Sequence, residues 1–278
     1  MINLGEIQEL YIVRKADFGV YLNDTMGDNL GSILLPKKQV PENAAIDDTI
    51  EVFVYKDSDD RPIATTTIPY ITLNHLAALE VKEVTDIGAF LDWGLEKDLL
   101  LPFNEQTIKP REGDKYLVKL YIDKTERLCA SMKVYHSLTT EHSYEKNDWV
   151  DGIVYSVNPE MGVFVAVDNQ YFGMIPKSEL RKKLYIGNQV HVRVTKVRED
   201  GKLDLTFHKP IQEQMDADAQ LVLDTIESYD GILPFTDKAS PSVIDHELGL
   251  SKNAFKRAVG RLLKQDMILM ENGTIRRK

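Results

Sequence analysis

The sequence predicts a multidomain, mainly β fold: three small five-stranded barrels in tandem, then an α+β domain of helices and a hairpin. Three observations predict it. A glycine, a small residue and an aromatic recur in Phe18-Gly19-Val20-Tyr21-Leu22, Ile87-Gly88-Ala89-Phe90-Leu91 and Met161-Gly162-Val163-Phe164-Val165. Each run leads to an apolar step ending in proline, at Pro36, Pro102 and Pro176, and each proline lies twelve positions ahead of Asp48, Asp114 or Asn188. After Lys209-Pro210 the alternation gives way to helical spacing. Repetition at about seventy residues marks copies of one small unit, not one large fold.

Within each repeat a third alternating run comes next: Ile50–Val54, Tyr116–Leu120 and Val190–Val194. A short strand closes the unit around Ile63-Ala64, Leu128-Cys129 and Leu203-Asp204-Leu205. Five short strands laid flat leave two bare edges, and closure into a barrel removes them. Gly19, Gly88 and Gly162 sit inside strand patterns, which predicts a bulge or sharp bend there. A bulge lets residues three apart share a face. Phe18 with Tyr21, Ile87 with Phe90, and Met161 with Phe164 are therefore expected to form apolar platforms on the barrel surface. For Ile87 and Met161 an interior position fits the pattern equally well. An exposed ring is useful because any unpaired base can stack on it, at about 1–3 kcal/mol per base.

The last seventy residues read differently. Met215, Ala219, Val222, Leu223 and Ile226 fall at helical spacing, and Asp230-Gly231 ends that helix. Ser240-Pro241 reads as an N-cap with proline in the first turn. Gly249-Leu250-Ser251 is a tight turn with a fresh cap. The third helix turns Ala254, Phe255, Ala258, Val259, Leu262 and Leu263 inward and presents Lys252, Asn253, Lys256, Arg257, Arg261 and Lys264. Glu271-Asn272-Gly273-Thr274 reads as a hairpin turn. Three helices plus a hairpin make a winged helix, used either on nucleic acid or as an architectural domain. The expected domains are 1–68, 69–138, 146–209 and 213–278.

The chain of 278 residues carries a formal net charge of −10, which excludes a protein coated in basic patches. The charge is uneven. Residues 1–69 hold 6 basic and 12 acidic residues, whereas residues 152–209 hold 9 basic and 6 acidic. A polyanion is expected on the third repeat, where Lys177, His191, Arg193 and Lys202 are the candidate contacts. The only cysteine is Cys129, in an apolar run, so no disulfide framework exists and a cytoplasmic location is expected. The N-terminus lacks a secretory pattern and no apolar run reaches membrane-spanning length. The six histidines lack metal-site spacing, and neither a phosphate-binding loop nor a nucleophile elbow is present. No cofactor, no metal, no catalytic residue and no enzymatic activity are expected.

The order Gly5-x-Ile7, Phe18-Gly19-x-Tyr21-Leu22, Gly31-x-Ile33 resembles the oligonucleotide-binding (OB-fold) barrel of ribosomal S-one type. So does Gly152-x-Val154, Gly162-x-Phe164-Val165, Gly173-Met174-Ile175, Gly187-Asn188-x-Val190, Gly201-Lys202-Leu203. All three repeats depart from it in one respect, carrying Pro36, Pro102 and Pro176 where many members have a histidine or an aromatic. Three such barrels before a winged helix resemble the conserved virulence factor B family over essentially the whole chain. That resemblance implies a bacterial, cytoplasmic regulator of gene expression that binds RNA. Carried over position by position, it implies RNA contacts at Phe18, Tyr21, Phe90 and Phe164, and phosphate contacts at the edge formed by Arg61, Arg127 and Lys202. The expected partner is single-stranded RNA, with duplex nucleic acid as a second ligand of the winged helix. Two other classes stay open: a DNA-binding transcriptional regulator, and an adaptor on the ribosome or RNA polymerase.

Overall fold

The computed structural model describes residues 1–180 and 182–278, with 211–214 described by backbone alone. It divides into two compact units, Met1–Phe207 and His208–Lys278.

The first unit holds the three repeats. Strands β1 (Ile7–Ala16), β2 (Gly19–Asn23), β3 (Ile33–Pro36), β4 (Thr49–Lys56) and β5 (Pro62–Thr65) close a barrel in the order β1-β2-β3-β5-β4. The third repeat does the same with β11 (Trp149–Asn158), β12 (Gly162–Val167), β13 (Tyr171–Pro176), β14 (Gln189–Val197) and β15 (Leu203–Thr206). Alternation turns Leu10, Ile12, Val20, Leu22, Leu35 and Val54 into the first core, and Val154, Val163, Val165, Ile175, Val192 and Leu205 into the third.

The second repeat differs. Its strands β6 (Leu76–Val84), β7 (Gly88–Asp92), β8 (Leu99–Pro102), β9 (Lys115–Ile122) and β10 (Leu128–Ser131) form a sheet ordered β10-β9-β6-β7-β8. Strands β8 and β10 end this sheet without pairing to one another. Glu105, in the turn after β8, bridges the seam instead: Ser131 Oγ donates to Glu105 Oε2 at 2.5 Å, and the Met132 N–H donates to the Glu105 carbonyl at 2.9 Å. This barrel is therefore nearly closed where full closure was expected.

The recurrent glycines are not bulges. Each opens the second strand of its repeat, at a φ of +157°, +151° or +135°. A Cβ on Gly88 would stand 2.5 Å from the Leu101 carbonyl oxygen, and one on Gly19 or Gly162 would come closer still to the equivalent carbonyl of Leu35 or Ile175. Close approach of the next strand is what demands glycine. The register shifts lie in the neighbouring first strand, between Ile12 and Arg14, Val81 and Glu83, and Val154 and Ser156.

The barrels pack on one another. Phe53 of β4 joins the core of the second barrel and meets Trp93 edge-on, with ring centroids 5.7 Å apart. Leu117, Val134 and Leu138 pack on Ile153 and Ala166 between the second and third barrels. The chain between those barrels is pinned rather than free. Thr139 donates its N–H to the Gln170 carbonyl at 2.9 Å and accepts at its own carbonyl from Phe172 at 3.3 Å.

The second unit contains α1 (Ile211–Ser228), β16 (Ile232–Leu233), α2 (Pro241–Leu248), α3 (Lys252–Lys264), β17 (Ile268–Glu271) and β18 (Thr274–Arg277). Ser240 caps α2 through Val243 N with Pro241 in the first turn, and Ser251 caps α3 through Ala254 N. Asn272 and Gly273 both take positive φ, at 50° and 77°, as a two-residue hairpin turn requires. Phe255, Ala258, Val259 and Leu262 seat α3 in the core. The short β16, which adds a third strand to the hairpin, had no signal in the sequence. Among the described residues no helix is long and apolar enough to cross a membrane.

Candidate nucleic-acid interface

In each barrel the residue before the recurrent glycine and the aromatic two residues after it share one patch. The first of each pair is the more exposed: Phe18 at 58%, Ile87 at 58% and Met161 at 53%. Tyr21, Phe90 and Phe164 are half-buried, forming the floor beside that knob. The expected pairing therefore holds, with Ile87 and Met161 at the surface and not in the interior. Phe18 and Tyr21 meet edge-on at 6.2 Å.

The three platforms have different surroundings. On the first barrel the guanidinium of Arg14 lies 3.9 Å from the centroid of Tyr21 and covers that ring. On the second, Ile87 and Phe90 line a cleft of ≈ 260 Å³ whose far wall is the β4–β5 hairpin of the first barrel, including Tyr55 and Asp60. That hairpin is acidic. Asp60 pairs with Arg127, and the Asp57 carbonyl accepts from Lys97 Nζ at 3.1 Å. The cationic edge of the second barrel is thus occupied by carboxylate and carbonyl groups from its neighbour.

On the third barrel Met161 and Phe164 line a cleft of ≈ 260 Å³ with Tyr135, Tyr155, Phe172, Arg198 and Lys202. Lys202 Nζ lies 5.5 Å from the Phe172 ring centroid. The change of sign traces to one position. The residue that closes the last hairpin with the backbone of Arg61, Arg127 or Lys202 is Asp57, Asp123 and Arg198 in turn. Arg198 is held by Asp204, with N–H···O distances of 2.9 and 2.5 Å, and that hydrogen bond pushes its pKa up. Lys202 pairs with Asp200 at 3.0 Å, which also raises its pKa. Arg61 is paired likewise with Asp57 and Asp59, each at 2.8 Å. Lys177 is exposed, opens the single 3-10 turn after Pro176, and donates its backbone N–H to the Met161 carbonyl at 3.0 Å. It makes no ion pair among the described residues.

Two candidates on β14 are placed elsewhere. Arg193 is buried, at 8% exposure, and donates to Asn147 Oδ1 at 2.7 Å. The incoming segment pairs with β14 here, through Asn147 N to Val194 O and Val194 N to Asp148 O, both 2.8 Å, and so brings the Asn147 side chain to Arg193. A surface phosphate contact at Arg193 is therefore corrected. His191 is exposed but lies parallel to Trp149 at 5.1 Å and bonds to Asp151 Oδ1 at 2.7 Å, in an acidic cleft lined also by Asp168. It sits apart from the aromatic cleft.

In the second unit α3 carries Lys252, Lys256, Arg257, Arg261 and Lys264 and no acidic residue. Lys252 Nζ donates to the Ala239 carbonyl at 3.0 Å, and Arg261 pairs with Asp216, so both serve the domain's own structure. Lys256, Arg257 and Lys264 remain exposed. Tyr135, Phe172 and Arg198 were not anticipated as site residues. Tyr135 lies in linker-like sequence, and only its tertiary placement reveals it.

Comparison with known proteins gives the same division. Residues 4–67 and 76–133 match the family model described as S1 domain, residues 143–207 the S1 RNA binding domain, and residues 220–276 the CvfB-like winged helix domain. Both are nucleic-acid-binding domain types and neither is an enzyme family. The chain is 33% identical to the uncharacterized protein YitL of Bacillus subtilis, over 97% of this chain and 92% of that protein. It is 32% identical to conserved virulence factor B of Staphylococcus aureus strain N315, over 98% and 93%. A solved multidomain protein with nucleic acid binding domains from Streptococcus pneumoniae shares 25% identity and a TM-score of 0.56, covering 99% and 98% of the two chains.

Proposed function

The chain belongs to the conserved virulence factor B family, and from that membership we propose that it is a non-enzymatic, cytoplasmic protein that binds single-stranded RNA and regulates gene expression after transcription. One observation carries the reading: Arg198 and Lys202 and no acidic residue line the aromatic cleft of the third barrel, whereas Asp60 and Asp98 line that of the second and Arg14 covers Tyr21 on the first. Rings at Phe164 and Phe172 accept unpaired bases without regard to sequence. Lys177, Arg198 and Lys202 meet the backbone phosphates. Phe18 and Tyr21 contribute secondarily, because their barrel is acidic and Arg14 occupies one ring. Phe90 contributes least, because two cations of its cleft are engaged by the neighbouring barrel, Arg127 by Asp60 and Lys97 by the Asp57 carbonyl.

With the net charge at −10, electrostatics alone does not carry affinity. Binding is moderate and tolerant of sequence. Fluorescence anisotropy with labelled single-stranded RNA and duplex DNA of equal length tests this. The reading requires tighter binding to the single strand, and preference for duplex would overturn it.

A second reading, nucleic-acid contact by the winged helix, is favoured by the exposed Lys256, Arg257 and Lys264 on a helix free of acidic residues. Replacing these three with glutamine and finding lost duplex binding with retained single-strand binding would support it.

A further inference from the structure

We propose that Tyr135 converts the third barrel's platform into a slot for one unpaired nucleobase of RNA, with Arg198 and Lys202 at its rim to hold the adjoining phosphates. This rests on the RNA-binding reading above and adds a residue from outside the barrel and a count of bases.

Tyr135 is held out by its neighbours. It opens a single 3-10 turn, Tyr135–Ser137, flanked by Val134 and Leu138, which are buried between the second and third barrels. Those anchors fix the turn, and the hydrogen bonds of Thr139 to the edge of β13 secure the chain just beyond it. Tyr135 itself is 50% exposed and meets Phe172 edge-on, with centroids 5.1 Å apart at 64°. A half-exposed ring between two buried anchors contributes little to packing. It does supply a wall that stands across from Met161 and Phe164.

The enclosed space suits one base. At ≈ 260 Å³ it falls below the range of about 300–1,000 Å³ usual for whole ligands. Its walls are rings, and its cations sit at the border with solvent, where a sugar–phosphate chain runs on. The cleft that Ile87 and Phe90 line on the second barrel has the same volume, but Asp60 and Asp98 stand among its cations.

The test uses the full chain and a single-stranded RNA oligonucleotide carrying one 2-aminopurine, whose fluorescence is quenched on stacking. Wild-type protein is expected to quench it saturably. Tyr135→Ala should abolish the quench and weaken binding about 5- to 160-fold, the range of one base–aromatic stack. Tyr135→Phe should restore both to within about twofold. A circular-dichroism melt of Tyr135→Ala is expected to match wild type, which separates a lost wall from a lost fold. Free adenosine monophosphate should compete only weakly, because it lacks the adjoining phosphates. RNA binding undiminished in Tyr135→Ala would overturn the slot while leaving RNA binding intact. No binding by wild-type protein would overturn the underlying reading instead.

Discussion

Replacing Gly162 with alanine should unlock the third barrel beside its platform. The glycine stands at φ +135°, and an added Cβ would come 2.8 Å from the Lys177 nitrogen and nearer still to the Ile175 carbonyl oxygen. Ordinary contact begins at 3.4 Å, so β13 must retreat along its pairing with β12. Both obstacles are backbone atoms and cannot rotate away. Overpacking of this kind costs about 1–3 kcal/mol, and a side chain at an unfavourable positive φ adds about 1–2 kcal/mol. The expected loss is about 2–5 kcal/mol, or a melting temperature lowered by roughly 4–20 °C for a unit of this size. Differential scanning fluorimetry measures it. Gly260→Ala provides the opposite control. Nothing lies within 4 Å of its added Cβ, and it sits inside α3, so helix propensity should raise stability by about 1 kcal/mol. A Gly162→Ala protein within about 1 kcal/mol of wild type would refute the close-approach argument for all three glycines.

Other outcomes derive from the same geometry. The affinity for single-stranded RNA should fall with salt at a log–log slope near −2, about −0.7 for each of Lys177, Arg198 and Lys202. Lys177→Ala should flatten that slope by about 0.7 in an anisotropy titration. Burial pushes the Cys129 thiol up to about 11, so iodoacetamide at pH 8 should label it only after denaturation. Because its folded pKa is raised, the neutral thiol's contribution is fully present below the unfolded value of 9.0 and is lost as pH climbs toward about 11. Urea melts of wild type against Cys129→Ala across that window should show the gap between them change above pH 9 and stay constant below it. Ser251→Ala removes the α3 cap and should cost about 1 kcal/mol, read from the helical signal on thermal melting.

Much of the fold was legible because its determinants are local. Alternation placed the core valines and leucines of each barrel, and the caps at Ser240 and Ser251 and the Asn272-Gly273 turn marked the second unit. The reach of local reasoning ended where tertiary contacts reassign a residue. Alternation put Arg193 outward with His191, but the chain entering the barrel pairs with β14 at that point, and Asn147 takes its guanidinium. The three repeats share their motifs, but tertiary contacts give each platform different surroundings: Arg14 over Tyr21, the Asp57–Asp60 hairpin beside Phe90, and Tyr135 beside Phe164. Tyr135 carried no pattern of its own, because a 3-10 turn between two buried anchors has no period to read.

The barrel seam was equally hidden. Pairing of β3 with β5 and of β13 with β15 closes two barrels, while bonds from Ser131 and Met132 to Glu105 bridge the second. A hydroxyl or a single backbone N–H bridging a seam leaves strand periodicity unchanged, so the sequence shows three repeats of one kind. The second barrel instead serves as a mount. It receives Phe53 into its core on one side and presents Leu117 and Val134 to the third barrel on the other.

Ultraviolet crosslinking of single-stranded RNA to the full chain, with the modified peptides identified by mass spectrometry, tests the central claim most directly. The account predicts adducts on peptides carrying Tyr135, Phe164 or Phe172, with few at Phe90. Adducts confined to residues 208–278, or spread evenly over the three barrels, would contradict it.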